Sequence, residues 1–72
     1  MSTHLVLECL DRASCTVYFE PWGSEYDLRR GDALTIDTPG VVQVGFVEAG
    51  ISLSFHVDNP TITNADGRAI RI

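Results

Sequence analysis

Residues 51 to 58 alternate apolar and polar side chains without a break: Ile51, Leu53, Phe55 and Val57 against Ser52, Ser54, His56 and Asp58. Successive side chains of an extended strand point to opposite faces, whereas a helix needs apolar residues every three or four positions. This stretch can therefore bury one face only as a β-strand. No part of the chain carries a clean helical apolar face, and proline and glycine cut the remainder into short segments with the same period of two. Strands are predicted over residues 4–10, 14–20, 25–29, 33–37, 41–48, 51–58, 61–63 and 68–72. The expected fold is all-β, a small antiparallel β-sandwich or partly open barrel of about seven to eight short strands.

The segment before Ile51 must pair with it across a turn at Ala49-Gly50. A register with Phe46 opposite Leu53 sets Val42, Val44 and Phe46 beside Val57, Phe55 and Leu53. A one-residue slip would send those three to the serine face, so burial selects the first register. A four-residue loop, Glu48-Ala49-Gly50-Ile51, around a type I turn would provide it. His56 then lies opposite Gln43, and Gln43, Ser54 and His56 form a polar strand face. Asp66-Gly67 marks a hairpin turn. A turn centred on Arg12 would bring Cys9 roughly opposite Cys15. Asp37-Thr38-Pro39-Gly40 and Asp58-Asn59-Pro60 start further turns, their prolines removing ladder donors.

The 72 residues read as one domain, 1–72, without linkers or repeats. A chain this short buries only roughly 60–65% of its unfolded surface and gains from a disulfide, a metal or self-association. Ten acids face five arginines, with no lysine, giving a net charge of −5. That balance repels phosphate backbones and anionic lipid, so neither nucleic acid nor membrane is an expected partner. The first residues lack the basic and apolar runs of a signal peptide, and nothing approaches the ~20 apolar residues of a membrane span. A cytoplasmic location is expected, with Cys9 and Cys15 as free thiols.

No catalytic, cofactor-binding or metal-binding set emerges. His56 shares a strand face with Ser54 and Asp58, but no motif positions a nucleophile, and a solvated face explains the pattern. His4 is expected to be exposed. His4, Glu8, Cys9 and Cys15 are close in sequence, yet their spacing matches no zinc signature. Both cysteines fall on the side of Leu5, Leu7, Val17 and Phe19, as small buried thiols would.

The stretch Gly31 to Gln43, Gly-Asp-Ala-Leu-Thr-Ile-Asp-Thr-Pro-Gly-Val-Val-Gln, is similar to the second motif of the cupins, in which Gly-Asp opens a strand and a Pro/Gly corner precedes a histidine ligand. Here Gln43 occupies the ligand position and the histidine-bearing first motif is missing. The resemblance implies a cupin-like barrel without its metal chemistry. The corner Glu20-Pro21-Trp22-Gly23, followed by Tyr26, Leu28, Gly31 and Asp32, resembles small uncharacterised bacterial all-β proteins over about half of the domain. It implies a β fold and carries no activity with it.

In that same region Pro21 and Gly23 make one corner and Arg30-Gly31 the next, with Tyr26, Leu28, Leu34 and Ile36 pointing inward. Trp22 either caps one end of the core or, with Glu25 and Arg29 or Arg30 nearby, forms a contact spot, since Trp and Arg are enriched at interface hot spots. The function expected is a non-catalytic binding or protein-interaction module that self-associates as a homodimer. The alternative is a degenerate cupin-like barrel that binds or transforms a small molecule. A pocket lined by Gln43 or His56 would favour the second, and a closed core the first.

Overall fold

A computed structural model of the chain describes Ser2 to Ile72. Seven strands follow in order: β1 (Ser2–Glu8), β2 (Ser14–Glu20), β3 (Ser24–Arg29), β4 (Ala33–Pro39), β5 (Val42–Val47), β6 (Gly50–Phe55) and β7 (Thr61–Asn64). They form two sheets, one ordered β1-β4-β7 and the other β3-β2-β6-β5, and neither closes into a barrel. The inward residues of both sheets, Val17, Phe19, Leu28, Leu34, Ile36, Leu53, Phe55 and Ile62, meet with Cys9 in one core. This is the two-layer arrangement that lets period-two strands bury one face each.

The corners work as their residues require. Gly23 (φ 77°) and Gly31 (φ 86°) occupy the left-handed region on either side of β3, where a side chain would be strained. The Gly23 N–H donates to the Phe19 carbonyl at 2.9 Å, closing the corner that contains the cis Glu20–Pro21 bond. At the last turn the Asn64 side-chain oxygen accepts from the backbone N–H groups of Asp66 and Arg68.

Four expectations are corrected. The sheets are not purely antiparallel, because β2 and β6 pair in parallel. The β5–β6 register places Val42, Val44 and Phe46 opposite Phe55, Leu53 and Ile51, two residues from the expected pairing, and the loop is Glu48-Ala49 alone. Inward and outward faces survive, since a two-residue slip preserves parity. The physical reason lies in Gly50, which pairs with Thr16 of β2 so closely that a Cβ there would overlap the Thr16 backbone. Gly50 must therefore stand inside the sheet and not in the turn, and the Ala49 carbonyl accepts from the Thr16 N–H at 3.1 Å.

Third, residues 68–72 do not form a strand. They lie along β7 through the bridge Thr63–Ala69 and a 2.7 Å hydrogen bond from Ile70 N–H to the Ile62 carbonyl. With β7 only four residues long, there is little ladder to extend. Fourth, Cys9 and Cys15 do meet, but not across a hairpin: β1 and β2 belong to different sheets, and Cys9 bridges to Arg30. The segment from Leu10 to Ala13 is a crossover between layers.

Candidate interaction edge

Four strands in one sheet and three in the other leave one strand short of cover. That strand is β5. Val44 and Phe46 share a face with the buried Leu53 and with Ile51, as directly opposed residues must, yet Val44 is 40% and Phe46 84% exposed. Of the seven large hydrophobic residues exposed among the described residues, four (Val41, Val44, Phe46 and Val47) fall within residues 41–47. Scattered surface hydrophobics need no explanation, but here Val44 and Phe46 on one face of β5, Val47 on the other and Val41 just before it concentrate the exposure at a single edge.

β5 is also a sheet edge, so one row of its backbone N–H and C=O groups has no strand partner. Proteins usually protect such edges with charges, prolines, bulges, short strands or a covering segment. The other edges show these devices. β3 points Glu25, Asp27 and Arg29 outward. β7 is short and lined by residues 68–72. β1 presents His4 and Glu8 to solvent, with His4 Nδ1 2.5 Å from Asp37 Oδ1 on the neighbouring strand. β5, Val-Gln-Val-Gly-Phe-Val, has no charge and no proline.

Beside β5 the sandwich opens into a cleft of about 290 Å³ lined by Leu7, Cys15, Val17, Leu28, Phe46 and Ile51, with Glu8, Arg12 and Glu48 around it. Its floor is apolar, formed by Leu7 of β1 and by Val17, Leu28 and Ile51 of the larger sheet. Gln43 and His56 do not line the cleft. Gln43 lies opposite Ser54 on the outer face, while His56 falls just past the end of β6, exposed. The polar strand face therefore consists of Gln43 and Ser54, without the expected pairing of His56 with Gln43.

The expected contact group around Trp22 is also dispersed. Trp22 tilts against Phe55 with ring centroids 5.6 Å apart, and Phe55 in turn stacks on Phe19 at 6.4 Å. At 38% exposure it closes the end of the core with one face and shows the other to solvent. Glu25 lies near this end of β3, but Arg29 is four residues further along, about 13 Å away at the usual strand rise. Arg30 is turned to the opposite corner, where its Nε donates to the Arg12 carbonyl at 3.1 Å. Trp22 and the arginines occupy opposite ends of β3 and cannot form one spot.

Among the described residues, no three His, Cys, Asp or Glu side chains gather where they could hold a metal ion. His4 lies about 16 Å from Cys9 along the extended chain, which disperses the ligand set that proximity in sequence suggests. The described residues contain no helix long and apolar enough to cross a membrane. No family model, curated protein or solved structure matches this chain.

The exposed β5 set was missed in the sequence because the alternation that marks an inward face does not say whether a second layer lies above it. The absence of any charge across residues 42–47 was the available signal.

Proposed function

We propose that the protein is a non-catalytic interaction module that self-associates through β5. The observation that carries this reading is the uncharged, apolar β5 edge, the one edge without protection among the described strands. A second copy is the occupant that suits it best. A two-fold axis through Val44, perpendicular to the sheet, sets Val42 opposite Phe46 of the other copy, Val44 opposite Val44, and Gln43 opposite Gly45. Every pair is apolar or neutral, and the edge is complementary to itself, as a two-fold contact demands. The two four-stranded sheets become one of eight strands. The net charge of −5 stays on other surfaces, where it opposes further assembly.

The test is sedimentation equilibrium of the wild type and of Phe46→Lys. A dimer in the wild type and a folded monomer in the variant support the reading. A wild-type monomer at about 100 μM, far above the usual range for specific dimers, overturns it.

A second reading rests on the cleft alone: a small apolar molecule held between the sheets, without a closed barrel and without Gln43 or His56 in the lining. Its volume of about 290 Å³ stands at the lower limit for ligand pockets, and its polar lining is confined to Glu8, Arg12, Cys15, Thr16 and Glu48. Saturable binding of a small apolar fluorophore by a wild-type monomer would favour this reading over self-association.

A further inference from the structure

The crossover between the sheets brings two thiols together. Cys9 Sγ and Cys15 Sγ are immediate neighbours, with no disulfide between them. The two differ in access. Cys9 is only 1% exposed, whereas Cys15 is half-buried and lines the open cleft. Between them the chain is held in place: the Arg12 carbonyl accepts from Cys9 Sγ at 3.5 Å and from Arg30 Nε at 3.1 Å. The Gly31 N–H donates to the Cys9 carbonyl at 3.0 Å, and Arg30 N–H to the Ala13 carbonyl at 3.0 Å. A pair fixed in this way has a high effective concentration of one thiol at the other.

We propose that Cys15 and Cys9 form a thiol–disulfide exchange site for low-molecular-weight disulfides, with Cys15 as the attacking thiol and Cys9 as the resolving one. The Cys15 thiolate, reached through the cleft, attacks one sulfur of the small disulfide RSSR. A Cys15–S–S–R bond forms, the S–S bond of the reagent breaks, and the first RS⁻ leaves with the electron pair. Cys9 then loses its proton to solvent and attacks the Cys15 sulfur. The Cys9–Cys15 bond forms and the second RS⁻ departs. In sum, two protein thiols are oxidised and one disulfide is reduced to two thiols after protonation. The product ties Cys9, just past β1 of the smaller sheet, to Cys15 of β2 in the larger one.

The order of attack follows from access, because a reagent cannot reach a thiol sealed in the core. The hydrogen bond with Cys15, together with burial, also holds the Cys9 thiol above its ordinary pKa. Cys9 is thus a poor first nucleophile and becomes effective only against a sulfur already beside it. None of this depends on pairing at β5.

The experiment equilibrates purified reduced protein with mixtures of reduced and oxidised glutathione, quenches with acid, and reads intact mass and peptide maps. The folded wild type should lose two hydrogen atoms, retain no glutathione, and return to the dithiol with dithiothreitol. Its equilibrium constant for closing should exceed that of the same chain in urea by at least about tenfold. Cys9→Ser should retain one glutathione on Cys15, and Cys15→Ser should remain unmodified while folded. The proposal is overturned if the folded wild type stays reduced, retains glutathione without closing, forms disulfides between chains, or closes no more readily than in urea. It is equally overturned if folded Cys15→Ser takes up glutathione at Cys9. Should Cys9→Ser fail to fold, the comparison of folded and unfolded wild type decides.

Discussion

The two edges of the larger sheet are strands of equal length and opposite character. β3, Ser-Glu-Tyr-Asp-Leu-Arg, buries Leu28 completely and turns three charged residues outward. β5, Val-Gln-Val-Gly-Phe-Val, leaves its inward Phe46 largely in solvent and carries no charge on either face. Alternation alone does not separate them, since both have an apolar face. What differs is cover. The side of the sheet carrying β3 is packed against the core, while β5 overhangs a smaller layer. An edge whose apolar face is already buried needs charge only to refuse partners; an edge whose apolar face is open gains from accepting one.

The largest expected effect comes from the residue that joins the two halves of this sheet. Gly50 lets β6, and β5 with it, approach β2 and β3, and any Cβ there overlaps the Thr16 backbone. Gly50→Val should destabilise the fold by about 3 kcal/mol or more, through backbone displacement and not through a lost contact. Chemical denaturation measures this. A Gly50→Val protein as stable as the wild type would show that the parallel pairing is not what holds β5 in place.

Next in size is the effect on assembly. Phe46→Lys places a charge on the open face of β5, opposite Val42 of a second copy in the proposed pairing. It should weaken the dimer by about 2–3 kcal/mol, on the order of 100-fold in dissociation constant. Because Phe46 is 84% exposed in the single chain, the stability of the monomer should change by less than about 0.5 kcal/mol. A similar loss in folding stability would mean that Phe46 serves the core and would remove the basis for the comparison.

Trp22 tests the β3 side in the same way. With one face on Phe55 and the other in solvent, Trp22→Ala should cost about 2 kcal/mol of folding stability, less than a fully buried aromatic would. Assembly should not change. A loss confined to assembly would return Trp22 to the role of contact residue and transfer the interaction surface to the β2–β3 corner.

These residues also show how far the sequence can be read. Strand identity, inward faces and the corners at Gly23, Gly31 and Gly67 follow from local rules, because alternation and positive φ are properties of a few neighbouring residues. Gly50 was legible as a glycine but not as the one facing Thr16, since that contact joins residues more than thirty positions apart. The register error followed from that. Cys9 and Cys15 stand side by side as their spacing suggests, but through a crossover between layers and not a hairpin. Trp22, Glu25, Arg29 and Arg30 are near one another in sequence, yet the extended β3 between them sets Trp22 and the arginines at its two ends. The openness of β5 depends on the number of strands in the facing layer, which no single segment encodes.

The smallest expected effect is the sharpest discriminator between the edges. If two copies paired through β3 about a two-fold axis at Asp27, Glu25 of each would face Arg29 of the other, which is attractive. The two Asp27 carboxylates would then stand directly opposite one another, and like charges so placed are destabilising. Asp27→Asn removes that repulsion. Assembly through β3 would therefore tighten in the variant, with the average mass rising at a given concentration. Assembly through β5 leaves Asp27 exposed on the far side of the sheet, so the mass should not change and folding stability should move by no more than about 0.5 kcal/mol. Sedimentation of Asp27→Asn beside the wild type, at physiological salt so that long-range charge effects are screened over about 8 Å, separates the two. A tighter dimer would place the contact at β3 and make the bare β5 edge a site for something other than a second copy.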